Sequence, residues 1–452
     1  MQHLRSSTAS FQRLPLALLV SLAFAGTSQA QSLVDMYEMA KTYDAGYQSA
    51  KSQFLANQAK ADQGKAALLP TIGLSGGATR SERSVTPQTG TSDYSYTTQT
   101  AGLNASQPLY RPANLATYQQ SQKALEIAQA AMSQAEQDLI VRTTQAYFEV
   151  LAAQQNLTFV QAQKAAVAEQ LASAKRNFEV GTSTITDTRE AQARYDLVIA
   201  QEIAADNDLR VKKVALELLI GKSNPQPFSL SPQATLPPVT GAGAEEWMAQ
   251  GEQSHPAIQQ ARINLDIAKL ETAKAEAGHK PTVDFTLGYN AQKNIGGTSV
   301  QTLYGQQNQI NIASAGITAN MPIFAGFATQ NRVRETLALE DKARNDLEGA
   351  QRQVAQATRT AYLGLQSGLG QVKALQAAEA SSQAALDANK LGYQVGVKVN
   401  IDVLNSQSQL YQTKRDLAKA RYDVLLGQLK LRQASGTLKA EDLQSINDLL
   451  QK

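Results

Sequence analysis

A chain that carries one design twice is confined to folds built from two like halves, and that constraint precedes every other reading of this sequence. The stretch Phe178-Glu-Val-Gly181-Thr-Ser-Thr-Ile-Thr186-Asp187 superposes on Tyr393-Gln-Val-Gly396-Val-Lys398-Val-Asn-Ile-Asp402 at a spacing of 215 positions, aromatic on aromatic, Gly on Gly and Asp on Asp. The spacing of 215 also relates Tyr147 to Tyr362 and Gly221 to Gly436, and it drifts only to 214 for Pro108 to Pro322 and 211 for Pro70 to Pro281. About half the protein is duplicated.

Aromatics make up only 6% of the 452 residues, which leaves few of the large side chains that fill a thick globular core. Residues 1–30 read as a secretory signal peptide: Arg5 and Arg13, an apolar run from Leu14 to Gly26, then small residues at Ser28 and Ala30 that favour cleavage before Gln31. Without Arg5 and Arg13 the mature chain is almost neutral, so nucleic acid is not an expected partner. The sequence has no cysteine, which excludes a disulfide framework and a lipid anchor on an N-terminal Cys. No later run is long and apolar enough for a transmembrane helix, so any span of a bilayer must be a β-barrel.

Two segments switch to period two. In the first, about 70–108, Ile72, Leu74, Gly76 and Ala78 alternate with polar or Gly positions, a polar tip runs from Ser81 to Asp93, and Thr-rich sequence resumes to Gln107. In the second, about 281–322, Val283, Phe285, Leu287, Tyr289 and Ala291 share one face, and after a loop from Lys293 to Asn308 so do Ala313, Ala315, Ile317, Ala319 and Met321. These are two β-hairpins. On strand signals alone a small soluble antiparallel sheet fits as well as a membrane one, but four strands cannot close a barrel, and a barrel would need hairpins from several chains.

Helical sequence surrounds the hairpins. Leu33 to about Leu69 and Glu245 to about Gly278 precede them, and breaker-poor runs of about 113–178 and 327–393 follow, each about 100 Å long as a helix. Met132, Leu139, Ala146, Ala153, Val160, Val167 and Ala174 fall at seven-residue spacing, and Leu347, Val354, Ala361, Gly368 and Leu375 repeat it. The returning helices, about 187–220 and 402–434, set Val403, Leu410, Leu417, Val424 and Leu431 beside small residues, so each half is an antiparallel coiled-coil pair turning at Gly181 or Gly396. The reading is therefore a first repeat over 31–221, a Pro-rich linker over 222–244, a second repeat over 245–436 and a tail over 437–452 that packs near the middle of the rod.

The order signal peptide, helix, hairpin, very long helix, Val-Gly turn and returning helix, given twice, resembles the TolC family of outer-membrane channel-tunnel proteins. The resemblance spans Leu33 to Gly436 and is sharpest at Tyr393–Asp402 and Phe178–Asp187, with Leu-Pro70-Thr-Ile and Met-Pro322-Ile-Phe as strand markers. It implies a mostly α fold with a membrane β part: a homotrimer whose strands form a 12-stranded β-barrel in outer-membrane lipid, continued by an α-helical barrel across the periplasm. It also implies a passive exit duct for drugs or polypeptides, docked by a periplasmic adaptor and an inner-membrane pump of RND or ABC type, with no cofactor. By motif position, Thr186, Asp187, Tyr393 and Lys398 are the expected gate linkage, with the Tyr393 hydroxyl and Lys398 reaching Asp187 or Thr186. Asp402 is expected in an acidic, cation-binding ring at the constriction, and Asn405 stands where a second ring carboxylate is expected. Lys398 replaces the Arg common in the family, so a bidentate grip is lost.

Plainer roles stand beside these. Asp187, with Glu190, fits a helix-capping pattern, Asp402 also fits an N-cap, and Gly181 and Gly396 fit left-handed helix ends. Enzyme chemistry has no comparable support: His255 and His279 lack a second ligand at metal spacing, and Gly296-Gly297 lacks the Lys and helix of a phosphate loop. A secreted coiled-coil stalk or adhesin would explain the heptads without the hairpins, and a soluble pore-forming toxin would be released and insert into foreign membranes.

Overall fold

In the computed structural model, residues 31–86, 92–231, 234–238, 243–295 and 309–450 are described. The expected signal peptide, the hairpin tips, part of the linker and the last two residues lie outside them. The elements run α1 (Leu33–Tyr43), α2 (Ala45–Ala66), β1 (Thr71–Val85), β2 (Ser92–Tyr110), α3 (Pro112–Glu179) and α4 (Ile185–Ile220) in the first copy. The second copy has α5 (Ala244–Ser254), α6 (Pro256–Glu276), β3 (Thr282–Ile295), β4 (Gln309–Asn320), α7 (Ala328–Gln394) and α8 (Asn400–Ala434), followed by α9 (Asp442–Asn447).

Each opening helix, expected as one piece, is broken in two. Asp44 ends α1 and caps α2, its carboxylate accepting from the Tyr47 amide at 2.7 Å. In the second copy Pro256, at the first position of α6, keeps His255 extended. The first hairpin is also longer than its polar composition suggests, since β1 reaches Val85 and β2 starts at Ser92, so most of the expected tip is paired strand.

The four strands form a single antiparallel sheet in the order β1-β2-β3-β4, leaving β1 and β4 as open edges. Register assembles one apolar face: Leu74 pairs with Leu103, Leu103 with Tyr289, and Tyr289 with Ala313, while Phe285 pairs with Ile317. Ile72, Leu74 and Ile317 on this face are more than two-thirds exposed, an arrangement that water does not favour. The other face is small and polar. Gly102 opposes Asn290 and Asn104 opposes Gly288; a Cβ on Gly102 would fall 2.4 Å from the Asn290 side-chain oxygen, so the glycine makes room for the amide.

At 68 residues, α3 is about 100 Å long. Its heptad seam buries Leu139, Ala153, Val160, Val167 and Ala174 against α4 and α8. The seam of α7, which packs against α8, α6 and α5, is more open: Val354 is buried, whereas Leu347, Ala361, Gly368 and Leu375 are half-buried. The thickest core is a belt near the middle of the rod, where Leu33, Met36, Tyr37, Ile140, Tyr147, Leu216, Leu425 and Leu429 meet Leu443 and Ile446 of the tail. Tyr147 anchors the linker there, its hydroxyl lying 3.0 Å from the Phe228 carbonyl and 3.3 Å from that of Gln31.

Candidate functional site at the helical tip

Farthest along the chain from the hairpins on both sides are the two helical turns, and they are built alike. Gly181 and Gly396 have φ of 79° and 77°, conformations that glycine adopts without a Cβ penalty. Around each, two amide-to-carbonyl bonds close a Schellman end: Thr182 to Asn177 (2.8 Å) with Gly181 to Phe178 (3.0 Å), and Val397 to Gly392 (2.9 Å) with Gly396 to Tyr393 (3.1 Å).

The copies then diverge by one residue of consequence. In the first, Thr184 is the N-cap and Asp187 is the third helical residue, and together they form a capping box. The box is therefore Thr184 with Asp187, three residues earlier than the pairing of Asp187 with Glu190 expected from sequence. The Asp187 Oδ2 accepts from the Ser183 hydroxyl (2.8 Å), the Thr184 amide (2.9 Å) and the Thr184 hydroxyl (2.8 Å). Burial raises the Asp187 pKa, and the bonds from Thr184 and Ser183 outweigh it, so the carboxyl sits below its ordinary value. In the second copy the N-cap is Val399, which has no side chain to share. Asp402 is consequently not a cap; among the described residues its charged partner is Lys398, 3.7 Å away.

Within one chain, Tyr393 and Lys398 do not reach Asp187 or Thr186. Tyr393 instead accepts at its hydroxyl from the Asn177 side-chain amide (3.1 Å), and Lys398 faces Asp402. Thr186 is exposed on the first turn of α4. Asn405 accepts from Arg194 at 2.9 Å.

The α3–α4 and α7–α8 hairpins are joined mainly by residues that sequence reading passed over. Asn400, fully buried, donates to the Asp187 carbonyl (3.3 Å) and accepts from Gln170. Around them Leu404 packs among Val167, Leu171, Ala174 and Ala191, and Tyr393 packs on Leu386, Val403 and Leu410. A signal for these polar fasteners was present: at the repeat spacing Asn400 stands opposite Ile185, and Asn177 opposite Gly392. Among the described residues there is no group of three His, Asp or Glu placed to hold a metal, and no helix long and apolar enough to cross a membrane.

Comparison with known proteins fits this architecture. The family model described as outer membrane efflux protein matches residues 37–222 and 247–437, one match in each copy. Outer membrane protein TolC of Vibrio cholerae is 33% identical over 435 residues, 96% of this chain and 97% of its own length. Proteases secretion protein PrtF of Dickeya chrysanthemi is 29% identical over 439 residues, 95% of this chain and 93% of its own. The crystal structure of the outer membrane protein VceC from Vibrio cholerae has the same fold, with a TM-score of 0.76 at 19% identity over 89% of this chain and 96% of that one. With two long helical hairpins, a four-stranded sheet and a family match in both halves, the chain belongs to the outer membrane efflux protein family.

Proposed function

We propose that this chain is the outer-membrane exit duct for tripartite efflux or type I secretion, carrying drugs or polypeptides from an inner-membrane pump to the exterior. The observation that carries this reading is the sheet: one face is apolar, the other is small and polar, and both edges are open, at the end of a helical rod about 100 Å long. Open edges cannot remain in lipid, where unpaired backbone groups cost several kcal/mol each. Three copies supply twelve strands, enough to close a barrel with the polar face around a lumen. The homotrimer's long helices continue that lumen across the periplasm, where an adaptor and a pump of RND or ABC type engage it.

The tip is the gate. All three hydrogen bonds to the Asp187 carboxylate end on Oδ2, so Oδ1 keeps acceptor capacity for a neighbouring chain. Lys398 or Tyr393 of that neighbour completes the linkage with Asp187 or Thr186, and Gly181 and Gly396 fix the turns. Asp402, freed from capping by Val399, lines the constriction as a ring of carboxylates, with Asn405 one turn above it.

Single-channel conductance of the detergent-purified mature protein, with its oligomeric mass, tests both levels. A trimer with small, cation-preferring conductance is expected; Tyr393→Phe with Lys398→Ser enlarges it, and Asp402→Asn weakens the cation preference. A folded trimer in which neither wild type nor the double variant conducts would overturn the duct reading. Unchanged conductance in the double variant would overturn the gate assignment alone.

A further inference from the structure

Above the tip, α4 and α8 face each other across α3 and line an open cavity of about 410 Å³. Its walls are two helical stripes: Arg194, Leu197, Val198 and Gln201 on α4, and Asn405, Ser408, Gln409, Gln412 and Arg415 on α8, with Gln163 of α3 between them. Spacings of three and four residues put each stripe on one helix face. The lining holds two guanidinium groups and no carboxylate.

The hydrogen bonds of these two arginines end on amide oxygens, as that of Arg421 does on the Ala234 carbonyl, whereas other arginines hold carboxylates. Arg111, Arg142, Arg332 and Arg432 all pair with carboxylates. Arg194 donates to the Asn405 side-chain oxygen (2.9 Å), and Arg415 to those of Gln163 (3.2 Å) and Gln412 (2.6 Å). Amide oxygens orient a guanidinium without neutralising it. Asp416, the acid adjacent in sequence to Arg415, is exposed and accepts from Gln412 at 2.8 Å. Partial burial of Arg415 lowers its pKa, and the charge of neighbouring Asp416 offsets this only in part.

We propose that this cavity is a binding site for a small oxyanion of phosphate or carboxylate type, held by Arg194 and Arg415. Their planar forks match such an ion in two-point geometry, and the surrounding amides and the Ser408 hydroxyl supply neutral donors. The site belongs to this chain's departures from its own repeat, since position 200, which corresponds to Arg415, is Ala, and position 409, which corresponds to Arg194, is Gln. Asn405 is central to it, because an Asp at that position would supply Arg194 with a built-in carboxylate.

Inorganic phosphate is titrated calorimetrically into the full-length mature protein in detergent at low ionic strength, without chloride. Wild type is expected to show saturable binding, with citrate competing. Arg194→Gln and Arg415→Gln should each weaken it at least tenfold, while Arg415→Lys retains part of the affinity. Asn405→Asp is nearly isosteric and keeps the fold, and it should lose phosphate by the same factor because its carboxylate occupies Arg194. Absence of saturable heat from wild type, or wild-type affinity in Asn405→Asp with either arginine variant unaffected, overturns the proposal.

Discussion

Arg111, at the start of α3, grips Asp284 near the base of β3 with two hydrogen bonds, Nε to Oδ1 at 2.7 Å and Nη2 to Oδ2 at 2.6 Å. The pair ties the first copy's long helix to the second copy's hairpin and so crosses the junction between rod and sheet. The second copy has Ala325 in place of Arg111, so this fork has no duplicate.

Arg111→Lys keeps the charge and loses the fork. Because Arg111 is well exposed, solvent screening limits the expected loss to about 1 kcal/mol. A double-mutant cycle with Asp284→Asn, read by denaturant unfolding, should show coupling of that order; strictly additive effects would refute the junction role.

Two glycines with almost the same backbone should behave differently. At Gly396 a Cβ would meet nothing within 4 Å, so Gly396→Ala costs only the left-handed conformation, about 1 kcal/mol. At Gly436 (φ 67°) a Cβ would lie 2.4 Å from the Cα of His255, and backbone cannot swing aside. Gly436→Ala should therefore lower the melting temperature clearly more than Gly396→Ala, and equal shifts would contradict the close backbone approach of Gly436 to His255.

Acid should weaken the rod in two stages. His255 caps α6 with Nδ1 accepting from the Ala257 amide (3.1 Å), which requires the neutral ring, and burial lowers its pKa from the usual 6.5. A depressed folded-state pKa means that this stability is fully present above 6.5 and is lost as the pH falls through the lower folded value. The Arg142 fork holds Asp44 below the usual 3.8 despite burial, so that contribution is present above 3.8 and disappears at still lower pH. His255→Asn, a cap that does not titrate, should abolish the loss of melting temperature between pH 7.5 and pH 5 while leaving the further loss below pH 3.8; a parallel first loss in wild type and variant would exclude His255.

Giving the second turn the cap of the first should move Asp402. Val399→Thr recreates the Thr184 arrangement and is expected to stabilise α8 by about 1 kcal/mol. It also draws the Asp402 carboxylate into a capping box and away from Lys398. The expected readouts are a higher melting temperature together with weaker cation preference; unchanged stability would show that α8 starts for reasons other than its cap.

The duplication and the heptads were legible because they are periodic: Leu139, Val160, Val167 and Ala174 are all buried as their spacing requires. Strand ends were less so. Residues 81–85 and 92–95 lack apolar alternation, yet they pair in register, since a hydrogen-bonded ladder needs no oily side chain where both faces are polar. The tip was only half legible. Spacing places Tyr393 and Asp187 at matching turns, but which amide meets the Tyr393 hydroxyl depends on the rotation between two helical hairpins, and Asn177 won that position. Asn400 escaped notice because a polar residue at a helix start looks ordinary until its surroundings are known to be buried.

The unpaired margins of β1 and β4 make each chain an unfinished object. On the proposed multi-chain barrel, a solitary copy finds no resting place in lipid, and residence there would begin when like meets like. The same margins cannot inspect what lies 100 Å away at the far end. If Tyr393 holds the gate as proposed, a copy altered there but sound in its strands is recruited as readily as any other and loosens every assembly that admits it. In a cell carrying both forms, damage at the tip would therefore be inherited as a dominant trait, and damage to the strands as a recessive one.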